Sequence, residues 1–433
     1  MPYGAWAARL QSLFGAPLDQ IDVATLSDAI GRGVREDDDL DFKRELHTNG
    51  KDFAADVAAL ANHRGGMLII GIRDEDGAAA ELVGVPLGDA QETQLRQMAA
   101  ENLVPFARFD LRAVDGPTGR REGCWLVIVP PSAERPHAVR IPRGVRYPRR
   151  HGTTTRWLSE AEIADAYRSR FREAESQVGR LSRIVDEAAA SIAHDDNDAW
   201  LVVGLVPSIP GAMTIDVARL RAIEAWANTH RCEWTGLWMD TAARTAVGLR
   251  RVRVTTIYDD DLAHYVYAEL HDDGAAVTAR QLPVRVISPD APLHLGNEAL
   301  IWTAARCLLF AAEHATMNAA AHGDAAVEAR VLGRTMQLGF TQHGHWNPIE
   351  RGQLLSGPIR SKRTVTLDAV TERQALLAAV RVVLTDLFHA FGSPEIRQIR
   401  ADGALRILHC SDQRELSGWA EGHGVQVTQE TIE

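Results

Sequence analysis

The segment Glu36-Asp-Asp-Asp-Leu-Asp41-Phe-Lys43 predicts a short acidic strand, and a helical stretch separates it from an apolar strand, Met67-Leu-Ile-Ile-Gly71-Ile-Arg-Asp74. Side chains alternate between the faces of a strand, so Asp39, Asp41 and Lys43 share one face. The apolar strand ends in a further acid. Carboxylates that converge beside one lysine suit metal-assisted phosphodiester cleavage. Their oxygens hold a divalent cation that activates water, and the lysine neutralises charge on the phosphate.

Lysine is rare in this chain, which makes its place beside Asp41 informative. Of the 47 basic residues, only Lys43, Lys51 and Lys362 are lysines. Lysine is a compact ammonium that fits beside a metal-bound water, whereas arginine presents a larger flat head. The alternative is a salt bridge at a strand edge, and the Asp-x-Lys spacing by itself favours that alternative.

Several motifs around these strands occur in a fixed order. The matching residues are Glu36, Asp41, Phe42, Lys43, Ala61, Asn62, Gly65, Gly66, Gly71, Asp74 and the Val83-Gly84-Val85 triplet. They resemble the Schlafen AlbA_2 domain, which typically shows Glu-Ser-x-x-x-Glu-Phe-Lys, then Ala-Phe-Ala-Asn-x-x-Gly-Gly, then Ile-Gly-Val-x-Asp. Tyr147-Pro-Arg149-Arg-His-Gly152-Thr-Thr-Thr resembles the closing motif of that family. The resemblance covers about residues 30 to 170.

The resemblance implies a nuclease that cuts tRNA or related RNA with three acids and a divalent metal, Mg²⁺ or Mn²⁺. Carried over, the metal ligands are Glu36, Asp41 and Asp74, and Lys43 assists catalysis. The second acid of the family pattern is usually glutamate, whereas Asp41 is one methylene shorter. Some AlbA_2 domains bind DNA without cutting it, so a DNA-binding transcriptional regulator with a ligand-binding C-terminal domain is the alternative. A third possibility is an inactive scaffold in which the acids form a salt-bridge network with Lys43.

A basic run follows in the same region, although the net charge of the whole chain is −11. From Arg135 to Arg156 there are seven arginines and two histidines with no acid among them. Arginines bind phosphates through bidentate, salt-sensitive contacts. The sequence therefore predicts nucleic-acid contacts in this run, with a charge-protected edge strand as the alternative. The predicted contact residues are Arg140, Arg143, Arg146, Arg149 and Arg150.

Length and pattern predict a mixed α/β (α+β) protein of several domains. The N-terminal part should be an AlbA_2-type mixed sheet with flanking helices, and the C-terminal part a second mixed α/β domain. The predicted boundaries are a helical lead-in over 1–34, the AlbA_2-like domain over 35–158, a connecting helix over 159–194, and a sensor or partner-binding domain over 195–433. A capping box at Ser159-Glu-Ala-Glu162 starts the connecting helix.

Composition also bears on location and partners. No apolar run approaches the length of a membrane helix, and the start of the chain lacks the pattern of a secretory signal. The four cysteines have no paired metal spacing, which predicts free thiols in the cytoplasm. Resemblance to bacterial Schlafens implies a role in defence against phage, with the C-terminal domain sensing a phage-derived or cellular trigger. Only one AlbA_2-like segment is found, so we expect a homodimer to supply the second RNA-binding lobe.

Overall fold

The computed structural model of the protein describes residues 5–117, 121–192, 197–229, 243–257, 264–342, 345–349 and 352–430. It divides into two compact units, Met1–Glu175 and Ser176–Glu433. The division falls inside one continuous helix, Glu160–Ser191. Asp195, where the sequence places the start of the C-terminal domain, lies outside the described residues, as does Cys232.

The first unit contains a sheet flanked by helices. Its helices are α1 (Ala8–Phe14), α2 (Val23–Gly31), α3 (Gly50–Ala61), α4 (Asp89–Asn102) and α5 (Glu160–Ser191), which continues into the second unit. Its strands are β1 (Leu40–Lys43), β2 (Gly66–Ile70), β3 (Ile72–Glu75), β4 (Ala78–Leu82), β5 (Val85–Pro86), β6 (Leu103–Val104), β7 (Asp110–Asp115), β8 (Glu122–Val129), β9 (Ala138–Ile141), β10 (Gly144–Arg146), β11 (Pro148–His151) and β12 (Thr154–Trp157).

Strand β2 lies inside the central sheet of this unit. It pairs in parallel with β1 and antiparallel with β8, and β8 also pairs with β5 and β7. Its residues are all buried, because alternate side chains pack into two different cores. Met67 and Ile69 pack with Leu40, Phe42 and residues of α1 and α2. Leu68 and Ile70 face α3 and α4 instead. The sheet is thus covered by helices on both faces.

The apolar strand ends earlier than its sequence predicts. It ends at Ile70, and Gly71 has a φ of +111°, at which a side chain would meet the Gly123 carbonyl oxygen at 2.7 Å. The chain therefore turns away, and Asp74 lies on the separate hairpin formed by β3 and β4. Two smaller sheets, β10-β9-β6 and β11-β12, carry the basic run.

The second unit is built on a seven-stranded antiparallel sheet in the order β14-β15-β16-β17-β13-β20-β24. These strands are β13 (Ala199–Ile209), β14 (Ala243–Gly248), β15 (Arg251–Ile257), β16 (His264–His271), β17 (Ala276–Leu282), β20 (His322–Leu332) and β24 (Ile359–Thr366). The remaining strands are β18 (Val284–Arg285), β19 (Leu293–Gly296), β21 (Met336–Gln342), β22 (His345–Pro348), β23 (Leu354–Leu355), β25 (Leu405–Arg406) and β26 (Val427–Thr428). The helices are α6 (Val217–Thr229), α7 (Asn297–Glu313), α8 (Leu367–Val370), α9 (Arg373–Ala390) and α10 (Gln413–Gly422).

The two faces of this sheet are covered differently. Helices α7 and α9 pack on one face and form the largest apolar cluster among the described residues. On the other face, Leu181, Ile184 and Val185 of α5 pack against Trp200 and Val202. The mixed α/β class predicted from the sequence is confirmed. Among the described residues, no helix combines the length and the apolar character needed to cross a lipid bilayer.

Candidate functional site

Asp41 is a buried carboxylate held between two cations. It points to the α3 face of the sheet, where it is 4% exposed. Its Oδ2 accepts a hydrogen bond from Lys43 Nζ at 2.5 Å, and its Oδ1 accepts one from Arg150 at 3.2 Å. A buried charge needs such partners, because an unpaired carboxylate on this face would be strongly destabilising.

Lys43 lies among several acids on the same face. Its ammonium is 4.0 Å from the carboxylate of Asp56 on α3, which is itself 2.9 Å from His47 Nε2. Burial opposes the charge of Lys43, but Asp56 and Asp41 outweigh it, and the pKa of the ammonium is raised. Lys43 therefore stays protonated. Asp56 and His47 were not predicted from the sequence, because no local pattern shows that they lie beside β1.

Glu36 stands at the centre of the predicted acids. Its Oε1 accepts the Phe42 N–H at 2.8 Å, and its own N–H donates to the Gly77 carbonyl at 2.7 Å. Desolvation raises the pKa of Glu36. The hydrogen bond from Phe42 opposes this shift, and the neighbouring Asp41 and Asp74 add to it. A carboxylate with a raised pKa beside other acids is a common feature of functional sites.

Asp74 is close to Glu36 but belongs to the exposed β3–β4 hairpin. Its Oδ2 accepts the N–H of Gly77 at 3.2 Å, so Gly77 links the two acids through its N–H and its carbonyl. The strand register shifts between Arg73 and Asp74. Asp74 therefore stabilises the hairpin turn and lies at the edge of the acid group, whereas Glu36 is bound to the backbone of Phe42, next to Asp41.

The resemblance implies a divalent metal at these acids, so their fit to one can be tested. Among the residues that the structure describes, no three His, Cys, Asp or Glu side chains converge closely enough to hold an ion. Mg²⁺ is, however, commonly held by one or two carboxylates together with waters and substrate phosphates. The pair of Glu36 and Asp41 fits that requirement, and a cation between them would relieve the repulsion that contributes to the raised pKa of Glu36.

Four of the five predicted phosphate-binding arginines are exposed. Arg140, Arg143 and Arg146 lie on β9, the following turn and β10, and Arg149 lies on β11. The guanidinium of Arg146 stands 5.7 Å from the ring centroid of Trp157, which is 44% exposed. A cation beside an exposed aromatic ring is an arrangement found in single-strand binding surfaces.

Arg150 has a different position from its neighbours. Successive residues of β11 face opposite sides, and Arg150 points inward and is 5% exposed. Besides Asp41, it donates to the carbonyl oxygens of Asp37 and Leu40 at 3.1 and 3.4 Å. It therefore holds the acid site together and does not face a solvent-side phosphate backbone.

The Asn-x-x-Gly-Gly motif joins the site to the basic run. Asn62, at the end of α3, donates to the carbonyl oxygens of His137 and Pro148 at 2.8 Å each and accepts the His137 N–H at 2.6 Å. Gly65 has a φ of +77°, and a side chain there would meet Pro131 and Val129 at 2.7 Å. The motif therefore fixes the strands that carry the arginines onto the end of α3.

Solved structures that resemble this chain include two distant likenesses. One is a crystal structure of the DIP2311 protein from Corynebacterium diphtheriae, whose sequence is 20% identical. The match covers 38% of this chain and 28% of that protein's chain, with a TM-score of 0.23. The solution structure of the N-terminal domain of a protein from Nitrosomonas europaea, described as related to the ATP-dependent DNA helicase RecG, is 22% identical. It covers 33% of this chain and 96% of its own, with a TM-score of 0.24. At these scores neither likeness supports an inference about function.

Family comparison is more informative. No curated protein matches the chain at a significant level. The matched segment contains the acids, Lys43, the Asn-x-x-Gly-Gly motif and the basic run that the motif analysis selected. Residues 36–158 match the model of the family described as Schlafen, AlbA_2, which confirms the resemblance that these motifs indicated.

Proposed function

We propose that the first unit is a metal-dependent endoribonuclease whose reaction centre is formed by Glu36, Asp41 and Lys43. The Schlafen AlbA_2 match indicates a nucleic-acid-related function, and the family includes nucleases. One observation carries the finer proposal. The Glu36 carboxyl accepts the N–H of Phe42, the residue after Asp41, and the Asp41 carboxyl is bound by Lys43, which stays protonated.

Each residue has a separate task in this proposal. Glu36 and Asp41 would hold Mg²⁺ or Mn²⁺, with Asp74 at the edge of the same group. Bound there, the metal would supply an activated water and neutralise charge on the phosphate. Lys43 stabilises the negative charge that develops on the phosphate oxygens. Arg150 keeps Asp41 in place by pairing with its second oxygen.

The proposed substrate is tRNA or another structured RNA. Arg140 and Arg143 support the RNA part of the proposal because they are exposed and make no ion pair with a described residue. The choice of tRNA, the defence role and a trigger sensed by the second unit rest on the family resemblance, and the cytoplasmic location rests on the cysteine pattern of the sequence.

A cleavage assay tests the proposal. Purified protein is incubated with total tRNA in Mn²⁺ or in chelator, and the product ends are mapped. We expect cleavage in Mn²⁺ that chelator stops and that Glu36→Gln abolishes, because Gln keeps the hydrogen bond to Phe42 but is a poorer ligand. Arg96→Ala, on the exposed surface of α4, is the control and should cleave normally. Full activity of the Glu36→Gln protein would refute the assignment.

A second candidate function is nucleic-acid binding without cleavage, as in a DNA-binding transcriptional regulator with a ligand-binding second unit. The observation that favours it is the pairing of both Asp41 oxygens with cations inside the protein. In that case duplex DNA should bind equally well with metal and with chelator, and Glu36→Gln should leave binding unchanged. RNA cleavage that requires metal would exclude this candidate.

A further inference from the structure

A cavity of about 670 Å³ lies beside the candidate site in the first unit. Residues of α3's C-terminal end, of β11 and of the first half of α5 surround it. We call it the arginine cavity, and its lining includes Asn62, His63, Arg64, Arg149, Leu158 and Arg172. Its volume is much larger than a phosphate group needs and lies in the range of roughly 300–1,000 Å³ that is typical of small-ligand sites.

Four arginines line this cavity, and one of them, Arg135, is ion-paired with Glu173. Arg64 makes no ion pair with a described residue, and Arg149 only approaches His63 Nδ1 at 3.5 Å. Arg172 donates only to the carbonyl oxygen of Arg168, at 3.3 Å. The two acids of the lining are already paired, since Glu162 binds Arg156 and Asp165 lies 2.8 Å from Arg168. Three unpaired guanidinium groups around one opening suit an anion.

The walls of the cavity also offer a surface against which a planar or sugar ring of a ligand can pack. Desolvation lowers the pKa of His63, and the nearby Arg149 and Arg64 act in the same direction, whereas Asp38 opposes them. The His63 ring is therefore neutral near pH 7, and its side chain is 14% exposed. Leu158 adds an apolar contact on the lining. Asn62 is fixed by three hydrogen bonds, so this wall is rigid before any ligand enters.

The arginine cavity is connected to the acid site by short contacts. His63 Nε2 is 3.6 Å from the carboxylate of Asp38, whose other oxygen accepts the Gly152 N–H. Arg150, two residues before Gly152, reaches Asp41. A strand that placed one nucleotide in the cavity could therefore bring a neighbouring phosphodiester to Glu36 and Asp41.

We propose that the arginine cavity binds a nucleoside phosphate, with Arg64, Arg149 and Arg172 on the phosphate and His63 and Leu158 against the base or sugar. The ligand is one nucleotide of a bound RNA strand or a free nucleotide, which share this chemistry. The strand-bound form rests on the proposed function, because it requires RNA to occupy the first unit.

Binding measured in chelator, where no cleavage occurs, tests this proposal. The probes are a fluorescent single-stranded RNA oligonucleotide and AMP as a competitor. Arg64→Ala and Arg172→Ala should each weaken RNA binding roughly tenfold, the usual effect of losing a charge-assisted hydrogen bond. The slope of log affinity against log salt should fall by about 0.7 for each lost phosphate contact. Arg96→Ala, an exposed arginine on α4, should bind like wild type. Thermal unfolding checks that every variant is folded.

The outcomes separate the cavity from the proposed function. Weakened RNA binding in both variants, with competition by AMP, supports a strand-bound nucleotide. If RNA does not bind but AMP binds in an Arg64-dependent way, the cavity takes free nucleotides and the RNA proposal fails. If RNA binds all variants equally and AMP does not compete, the nucleoside phosphate site is overturned while RNA binding stands.

Discussion

At the scale of single residues, the two central acids have opposite roles in stability. The carboxyl group of Asp41 accepts hydrogen bonds from two cations, whereas desolvation and the neighbouring acids raise the pKa of Glu36. Asp41 therefore contributes to the stability of the fold as well as to any catalysis. Glu36 lowers stability when it is charged, as is common for residues of functional sites.

This difference predicts opposite effects of two similar substitutions. Asp41→Asn leaves buried Arg150 without its carboxylate and should lower the free energy of unfolding by about 3 kcal/mol. Glu36→Gln should raise it at neutral pH. The pKa of Glu36 is raised in the folded state. The protonated carboxyl group therefore contributes to folding stability below the ordinary pKa of 4.5, and this contribution is lost as pH rises.

Chemical denaturation at pH 7 and pH 4 measures both variants. The gain from Glu36→Gln should shrink at pH 4, where the wild-type carboxyl is largely protonated. A Glu36→Gln protein less stable than wild type at pH 7 would contradict the assigned repulsion, and an unaffected Asp41→Asn protein would contradict the buried ion pair.

At the scale of secondary structure elements, helix α3 connects the acid site to the strands of the basic run. Its N-terminal end is capped by Asn49, and its C-terminal end is bonded through Asn62 to residues preceding β9 and at the start of β11. The two asparagines allow a matched comparison, since one only caps the helix and the other joins three segments.

We expect Asn62→Ala to lower the free energy of unfolding by about 2–4 kcal/mol, because it leaves three buried backbone groups without partners. It should also weaken nucleic-acid binding, since Arg149 would no longer be held in place. Asn49→Ala should lower stability by about 1 kcal/mol and leave binding unchanged. Denaturant titration and fluorescence anisotropy measure the two effects. Equal binding by both variants would show that the arginines do not depend on this connection.

At the scale of the whole molecule, two buried histidines predict the acid sensitivity of the second unit. His314 follows α7 and its Nε2 lies 2.9 Å from the His271 carbonyl oxygen. Desolvation lowers the pKa of both to about 4. Because these pKa values are lowered, the neutral rings contribute to folding stability at pH values above the ordinary histidine pKa of 6.5. This contribution is lost as the pH falls toward 4.

Protonation of each histidine should therefore lower the free energy of unfolding by up to about 3 kcal/mol between pH 6.5 and pH 4. Nuclear magnetic resonance of the imidazole signals should show both rings neutral at pH 5. Unfolding midpoints measured from pH 7 to pH 4 should fall less steeply in the His271→Gln, His314→Gln double variant. Rings that titrate near pH 6.5 would contradict the burial of these side chains.

Self-association is the second prediction at this scale. In the part of helix α5 that belongs to the first unit, Phe171 is a large apolar side chain that is 64% exposed. The predicted homodimer would cover this side chain and bring two basic runs to a shared groove. Mass measurement at micromolar concentration should give a dimer, and Phe171→Glu should give a monomer. A wild-type monomer that is fully active on tRNA would exclude the shared groove.

The sequence by itself determined the features that depend on local pattern. Alternation predicted β1, a continuous apolar run predicted β2, and the capping box predicted the start of α5, where Ser159 and Glu162 bond to each other. The motif order gave the family resemblance, since the spacing of Glu36, Asp41, Lys43 and the Asn-x-x-Gly-Gly turn is a property of the chain alone. These features are local because periodicity and capping involve residues a few positions apart.

Only the tertiary structure decided which of these residues meet. Gly71 moved Asp74 onto a separate hairpin, because its conformation and the nearby Gly123 carbonyl leave no room for a side chain. The alternation of β11 sent Arg150 inward to Asp41 and Arg149 outward to the arginine cavity. Arg64, Arg149 and Arg172 come from three distant segments, and long-range packing, which no local pattern encodes, brings them around one opening.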